Sequence, residues 1–440
     1  MVVGLVVLAA CDEPEMMTRQ ELLRPEACRT CHPDHYREWS GSMHAYAADD
    51  PVFVAMNARG QRETGGALGD FCVRCHAPMA LREGRTRDGL NLSELPSYLR
   101  GVTCLFCHEV DAVQGTHNNP LRLAGDGVLR GAIADPTGRM PHRAAYSPLH
   151  DRRRPESAAL CGSCHDVVTP AGVHLERTFS EWQASLFGDP RQGRMLTCGT
   201  CHMTGRTGLA AQVEGVRLRR VHDHSMPGVD VALTPWPERE AQWQGVLREL
   251  ETTLAAQLCV LPDLDGARLE VTLDNVAAGH MFPSGAAQDR RAFVEIVAWA
   301  GGQVIYESGR VGDQEDVLAR NDPDLWLLRD RMLDAQGQEV HDFWAARSYV
   351  SELLPPAVTS DPRDPRFFHA VKRTYRVPRM RPDRVTMRVR IRPIGLDVLG
   401  KLVAAGDLDP AVVAAMPTFT LGGTVLEWNG AGGFGCVPKQ

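Results

Sequence analysis

Lysine is almost missing from this chain: Lys372, Lys401 and Lys439 are the only three among 48 basic residues in 440, so positive charge is carried by arginine. A basic surplus is missing too. The formal net charge is -7, which argues against a nucleic-acid partner. No internal apolar run approaches the roughly 20 residues that a membrane-spanning helix needs. Charged residues are an ordinary 23%, so nothing points to global disorder. The length favours two or three domains with a sizeable core.

Cysteine is what the chain has in excess. There are thirteen, and ten fall in five Cys-x-x-Cys pairs, each followed at once by histidine. These are Cys28-Arg-Thr-Cys31-His32, Cys72-Val-Arg-Cys75-His76, Cys104-Leu-Phe-Cys107-His108, Cys161-Gly-Ser-Cys164-His165 and Cys198-Gly-Thr-Cys201-His202. Cys11, Cys259 and Cys436 remain.

The spacing fits covalent haem attachment. Two thiols reach the vinyl groups on one porphyrin edge while the next residue turns its imidazole towards the iron, and one short helical turn supplies both. Zinc sites fit poorly, because they combine Cys-x-x-Cys pairs into four-ligand sets and an odd number of pairs, each with an added histidine, does not divide that way. A thioredoxin-like motif would need one pair in a βαβ context. Five haem c groups are therefore expected, with His32, His76, His108, His165 and His202 as proximal ligands.

Met1 to Ala10 is a short apolar segment ending Leu8-Ala9-Ala10 before Cys11, which resembles the lipobox of bacterial lipoproteins. Residues 1–11 would then be a signal peptide with a lipidated Cys11, anchoring an exported protein in the periplasm or at the outer membrane. The basic start of an ordinary signal peptide is not present. Export agrees with c-type haem attachment, which in bacteria takes place outside the cytoplasm.

Residues 12–27 are polar and read as a tether. Residues 28–236 hold every motif, with many Gly and Pro and few long periodic runs, as in a domain of short helices and loops whose core is largely haem. One such helix is expected over Glu181 to Phe187. Residues 237–262 form a connector whose helical period runs from Pro237 to Thr253, with Trp243, Val246, Leu247 and Leu250 on one face. Over 263–440 the period changes to two. Strands are expected at Leu269–Asp274, Ala292–Trp299, Gln303–Ser308, Lys372–Val377, Val385–Arg392 and Thr424–Trp428, with turns at Ala300–Gly302 and Asp334–Gly337. The fold class is α+β: a multihaem cytochrome domain followed by a β-sandwich-like domain. Cys259 and Cys436, near the two ends of that second domain, either pair or remain two separate thiols.

Each iron has a sixth position, and eleven of the sixteen histidines lie outside the motifs: His35, His44, His117, His142, His150, His174, His222, His224, His280, His341 and His369. His44, soon after the first motif, resembles a distal ligand of the multihaem group that includes hydroxylamine oxidoreductase and the tetrahaem cytochrome c-554. The resemblance extends to His117 after the third motif, to His142 and His150 before the fourth, with His142 favoured, and to His224 in Val221-His-Asp-His-Ser-Met-Pro-Gly228. His280 in Asn275-Val-Ala-Ala-Gly-His-Met-Phe-Pro-Ser-Gly285 resembles the loop that joins haem domain to β-rich tail in such cytochromes, with Ser in place of the usual Thr. Methionine is an alternative ligand, although interior Met more often packs as core.

The resemblance implies electron transfer, with redox proteins or quinol-linked membrane complexes as partners. The alternative is an oxidoreductase acting on a small nitrogen or sulfur compound at one open haem. Three features weigh against it: no Lys precedes Lys372, so the Lys-ligated haem of pentahaem nitrite reductase has no counterpart; the motifs number five, not the eight of hydroxylamine oxidoreductase; and spare histidines exceed the vacancies. A haem-bearing sensing module is a third class, on which a β-sandwich alone is silent.

Overall fold

The computed structural model describes residues 15–136, 140–193 and 195–437. The lipobox and Cys11 lie outside them. Up to residue 236 the chain is built from short helices and two-stranded ribbons, and from residue 255 it is built mainly from antiparallel strands. Among the described residues no helix is long and apolar enough to cross a membrane.

Each attachment motif is a single tight turn. His32, His76 and His165 donate their backbone N–H to the carbonyls of Cys28, Cys72 and Cys161, at 2.8, 3.2 and 3.1 Å. Residues four apart on a helical turn share a face, so cysteine and histidine point the same way. The third and fifth motifs lie in the helices Cys104–Glu109 and Cys198–His202. After the last motif a hairpin pairs β1 (Gly205–Leu209) with β2 (Leu218–His222). The connector helix spans Arg239–Thr252, almost the expected range, and buries Val246 and Leu250.

Beyond it, β3 (Ala255–Pro262) and β4 (Gly266–Asp274) form one ribbon, and β5 (Arg291–Ala300) and β6 (Gln303–Ser308) another. The β5–β6 turn uses Gly301 and Gly302, both at positive φ, as the sequence there required. Two later strands, β7 (Val371–Pro378) and β8 (Arg384–Arg392), join opposite ribbons: β7 pairs β4 and β8 pairs β5. β9 (Leu426–Asn429) adds to β8, and β10 (Gly435–Cys436) adds to β3. Alternate residues of the two sheets meet in one core. Ala267, Leu269, Val271 and Leu273 of β4 are fully buried with Val294, Ile296, Met387 and Val389 opposite. The sandwich expectation agrees with this arrangement. Cys259 on β3 faces Cys436 on β10, and the two form a disulfide, which closes the alternative left open by the sequence.

The two regions share apolar clusters. Val52, Ala55 and Leu233 pack with Leu396, Leu399, Leu402 and Met416, and Leu68, Val173 and Leu175 pack with Met332, Phe343 and Ala346.

Candidate haem sites

The motif cysteines of different segments meet side to side. Cys28 lies beside Cys104, Cys75 beside Cys164, and Cys161 beside Cys198. The first motif therefore adjoins the third, the second the fourth, and the fourth the fifth. Cys107 also feels Cys161, which links the third to the fourth. Burial pushes the Cys72 and Cys107 thiols up to about 12, so both remain protonated thiols at neutral pH.

Four of the five motif histidines share a hydrogen-bonding pattern. Nδ1 of His32 lies 2.6 Å from the Ala210 carbonyl, Nδ1 of His76 3.0 Å from Ala47, Nδ1 of His108 2.6 Å from Arg130, and Nδ1 of His202 2.8 Å from Pro227. A carbonyl only accepts, so each Nδ1 carries the proton and each Nε2 presents a lone pair, the tautomer of a metal-ligating imidazole held by an outer partner. Burial pulls His108 down to about 3 and His165 to about 4, and it lowers His32 and His76. These rings are neutral at pH 7, as ligation requires.

Two imidazoles on one iron, each with a metal–nitrogen bond of about 2 Å, have ring centroids roughly 6 Å apart. His32 and His142 are 6.3 Å apart, His108 and His224 6.3 Å, and His44 and His165 6.1 Å. His280 interacts electrostatically with His202 and His165. Among the described residues no group of three or more His, Cys, Asp or Glu side chains is assembled as a zinc site would need. Paired imidazoles beside paired thiols are the donor set of haem c, and the residues fit that group.

Each of these outer histidines is fixed by its own neighbourhood. Ser42 caps the turn carrying His44. Val102 N–H donates to the His44 carbonyl at 2.8 Å, an approach that Gly101 at φ +74° permits, since a Cβ there would stand 2.7 Å from that oxygen. His224 is held by the buried Glu38, which accepts its backbone N–H at 3.0 Å and pairs with Arg206 at 2.5 Å. Nδ1 of His224 and of His280 lie against backbone carbonyls at 2.9 and 2.8 Å, and burial lowers these two rings to about 3 and about 4. The His280 loop is stapled to the motif region. Glu181 accepts from Ser284 Oγ at 2.6 Å and from Met281 N–H at 3.3 Å, and Thr178 Oγ1 accepts from Gly285 N–H at 3.1 Å.

His150 differs from His142. Its Nε2 lies 2.8 Å from the Cys107 carbonyl, its buried Nδ1 has no hydrogen-bond partner, and its ring stacks 5.6 Å from His108. His117 is exposed and hydrogen-bonds Thr116. It borders a surface hollow of about 410 Å³ beside Arg74 of the second motif, and no ring contact joins it to a motif histidine among the described residues. Phe53 stacks on His76 at 4.0 Å. His35 is the residue that sequence reasoning set aside: it lies 6.1 Å from His32 and 4.7 Å from His224, with burial lowering it to about 4. Its position three residues after His32 was the available signal.

Residues 27–109, which hold the first three motifs, match the family model described as cytochrome c554 and c-prime. No curated protein sequence matches the chain. The crystal structure of a penta-heme cytochrome c552 from Thermochromatium tepidum superimposes with a TM-score of 0.65 at 21% identity, over 92% of this chain and 98% of that one. The fold is that of a multihaem c-type cytochrome. The fourth and fifth motifs lie beyond the family match.

Proposed function

We propose that this chain is a pentahaem electron carrier of the cell envelope. The observation that carries the reading is the unbroken adjacency of the five motifs, through Cys28 and Cys104, Cys107 and Cys161, Cys161 and Cys198, and Cys75 and Cys164. Haem c, when bound, supplies reversible one-electron iron chemistry. The chain's own part is to hold five sites side by side, keep His32, His76, His108 and His165 neutral by burial, and fix ring tautomers through backbone carbonyls. The proximal ligands are His32, His76, His108, His165 and His202. His142, His224, His44 and His280 serve as distal partners of His32, His108, His165 and His202, and His117 is the remaining candidate for His76. We assign haem binding to residues 28–236 and a supporting role to 263–440, joined by 237–262, with Cys11 as a lipid anchor.

One observation favours a second reading. His76 has Phe53 against its ring and His117 only at the surface, so an open position on its iron would make the chain an oxidoreductase for a small nitrogen or sulfur compound. One experiment decides. The intact mass should exceed that of the haem-free mature protein by five haems, and the resting protein should show five low-spin irons with negligible carbon monoxide binding when reduced. A single stoichiometric high-spin haem that binds carbon monoxide would replace the carrier reading with the second one.

A further inference from the structure

The β1–β2 hairpin presents a face that haem ligation does not use. Side chains two apart on a strand share a face, so Leu218, Arg220 and His222 lie together, opposite Leu209, Thr207 and Gly205 in the antiparallel register. Leu218 is 71% exposed and Leu209 42%, an apolar pair left in solvent.

At its His222 end this face runs into Arg152 and Arg153. Arg152 is fastened to the fifth motif: its carbonyl accepts from Thr197 Oγ1 at 2.6 Å, and its guanidinium donates to the Met203 carbonyl at 3.1 Å. A Cβ at Gly199 would stand 3.2 Å from the Arg152 Cβ, so the glycine of Cys198-Gly-Thr-Cys201-His202 is what lets Arg152 lie against the motif. Cys201 beside it is the only exposed cysteine among the ten of the motifs.

The charge here runs against the rest of the molecule. Arg153 is matched by Asp151 at 2.9 Å, but among the described residues neither Arg152 nor Arg220 has a carboxylate within ion-pairing distance. Burial, then the Arg220 and Arg153 charges, lower the Arg152 pKa, and Asp151, already paired with Arg153, only partly opposes them. Glu249, near Cys201 and next to the exposed Arg248, is a second opposing charge.

We propose that this face, an exposed Leu209 and Leu218 bordered by Arg152, Arg153 and Arg220 beside Cys201, docks an acidic electron-transfer protein that exchanges electrons at the fifth attachment site. An apolar centre with a charged rim is the anatomy of a transient interface. A chain of net charge -7 repels acidic partners at long range, so productive encounter needs a local positive field, which steers approach and selects the face. The exchange moves one electron: the partner's reduced centre loses it, one ferric haem iron gains it, and no bond or proton changes place. The proposal rests on haem being bound at Cys198 and Cys201.

The test uses the haem-loaded protein with a reduced acidic plant-type ferredoxin as donor, followed by stopped flow at low ionic strength. Arg220→Glu should slow reduction about tenfold, a difference that fades at high salt. Leu218→Asp should slow it at every ionic strength. Arg376→Glu makes the same charge change on β7 and should leave the rate near that of the unaltered protein. Equal rates for Arg220→Glu and Arg376→Glu would overturn the docking face. So would retention on phosphatidylglycerol vesicles that is lost in Arg220→Glu while ferredoxin rates stay unchanged, since the patch would then serve a lipid surface. Missing haem absorbance would instead refute the haem reading on which the proposal stands.

Discussion

The disulfide between Cys259 and Cys436 can be weighed without touching any haem. It spans 177 residues, and in the chain-entropy account a closure of that length lowers the free energy of folding by about 5 kcal/mol at 25 °C. That figure is a ceiling. Strand β10 is only two residues long and gains little hold besides the bond, chiefly the Val437 N–H donated to Leu258 at 2.8 Å, so a severed tail would fray before the sheet opens. Cys436→Ser is the cleaner change, because Cys436 is exposed while Cys259 is buried. A variant is also better than a reductant, which would reduce haem at the same time. The expected loss is about 2–4 kcal/mol, which lowers the guanidinium chloride midpoint by roughly 0.5–1 M. Circular dichroism of the sheet region gives the midpoint, and haem absorbance provides a second, independent probe. An unaltered midpoint, or free thiol at both positions in the native protein, would refute the reasoning.

Three further outcomes are expected. His280→Ala should keep the full haem content but convert one of five irons from low to high spin in electron paramagnetic resonance, and an unchanged spectrum would remove His280 from the ligand set. Cys11→Ser should move the protein from membranes to the soluble fraction, and continued membrane attachment would count against the lipobox. Glu176 has its pKa raised to about 7 by burial, against the pull of Arg290 and with the help of Asp230, Asp289 and Asp166. Its folded value exceeds its unfolded one, so the native protein is unpenalised below about pH 4.5 and loses up to about 3 kcal/mol as pH rises through 7. Glu176→Gln should therefore melt at a higher temperature than the unaltered protein at pH 8 and at the same temperature at pH 4.5.

The β-rich region was legible because its signal is local. Gln303–Ser308 matches β6 at both ends, and the alternation at Leu269–Asp274 extends back to Gly266, where only glycine fits beneath the Val377 carbonyl. Thr424–Trp428 was read two residues early. Thr424 turns inward as a buried hydrogen-bonding group, donating to Leu421 and accepting from Val389 N–H at 2.8 Å each, and the strand begins only at Leu426. Glu181–Phe187 was displaced for a similar reason. The helix is Thr178–Gln183, and Leu186 leaves it to donate to the Ala357 carbonyl, a partner distant in sequence. In the motif region most helices run four to eight residues, too short for a period to be read, so only the Cys-x-x-Cys-His units spoke there.

The pairing of histidines was not legible for a deeper reason. A distal ligand is defined by what it faces, and His142, His224 and His44 face motif histidines that lie between 110 and 121 residues away in the chain. Their positions are set by small polar contacts, such as Glu38 on His224 and Ser42 on His44, and no sequence pattern marks such contacts. The same geometry has an energetic consequence. Rings buried as neutral bases, at about 3 for His108 and His224 and about 4 for His44 and His280, each disfavour folding as pH falls below about 6.5, because the unfolded chain binds protons there that the native one does not. Ligation to iron offsets that cost, because metal-binding free energy becomes folding free energy. The His280 loop extends the argument to the β-rich region. Anchored to Glu181 and Thr178 on one side and to Asn275 and Leu354 on the other, it ties the sandwich to the motif region at the point where His280 meets the fields of His202 and His165. Were haem held there as proposed, its loading and the seating of the second region on the first would be a single equilibrium.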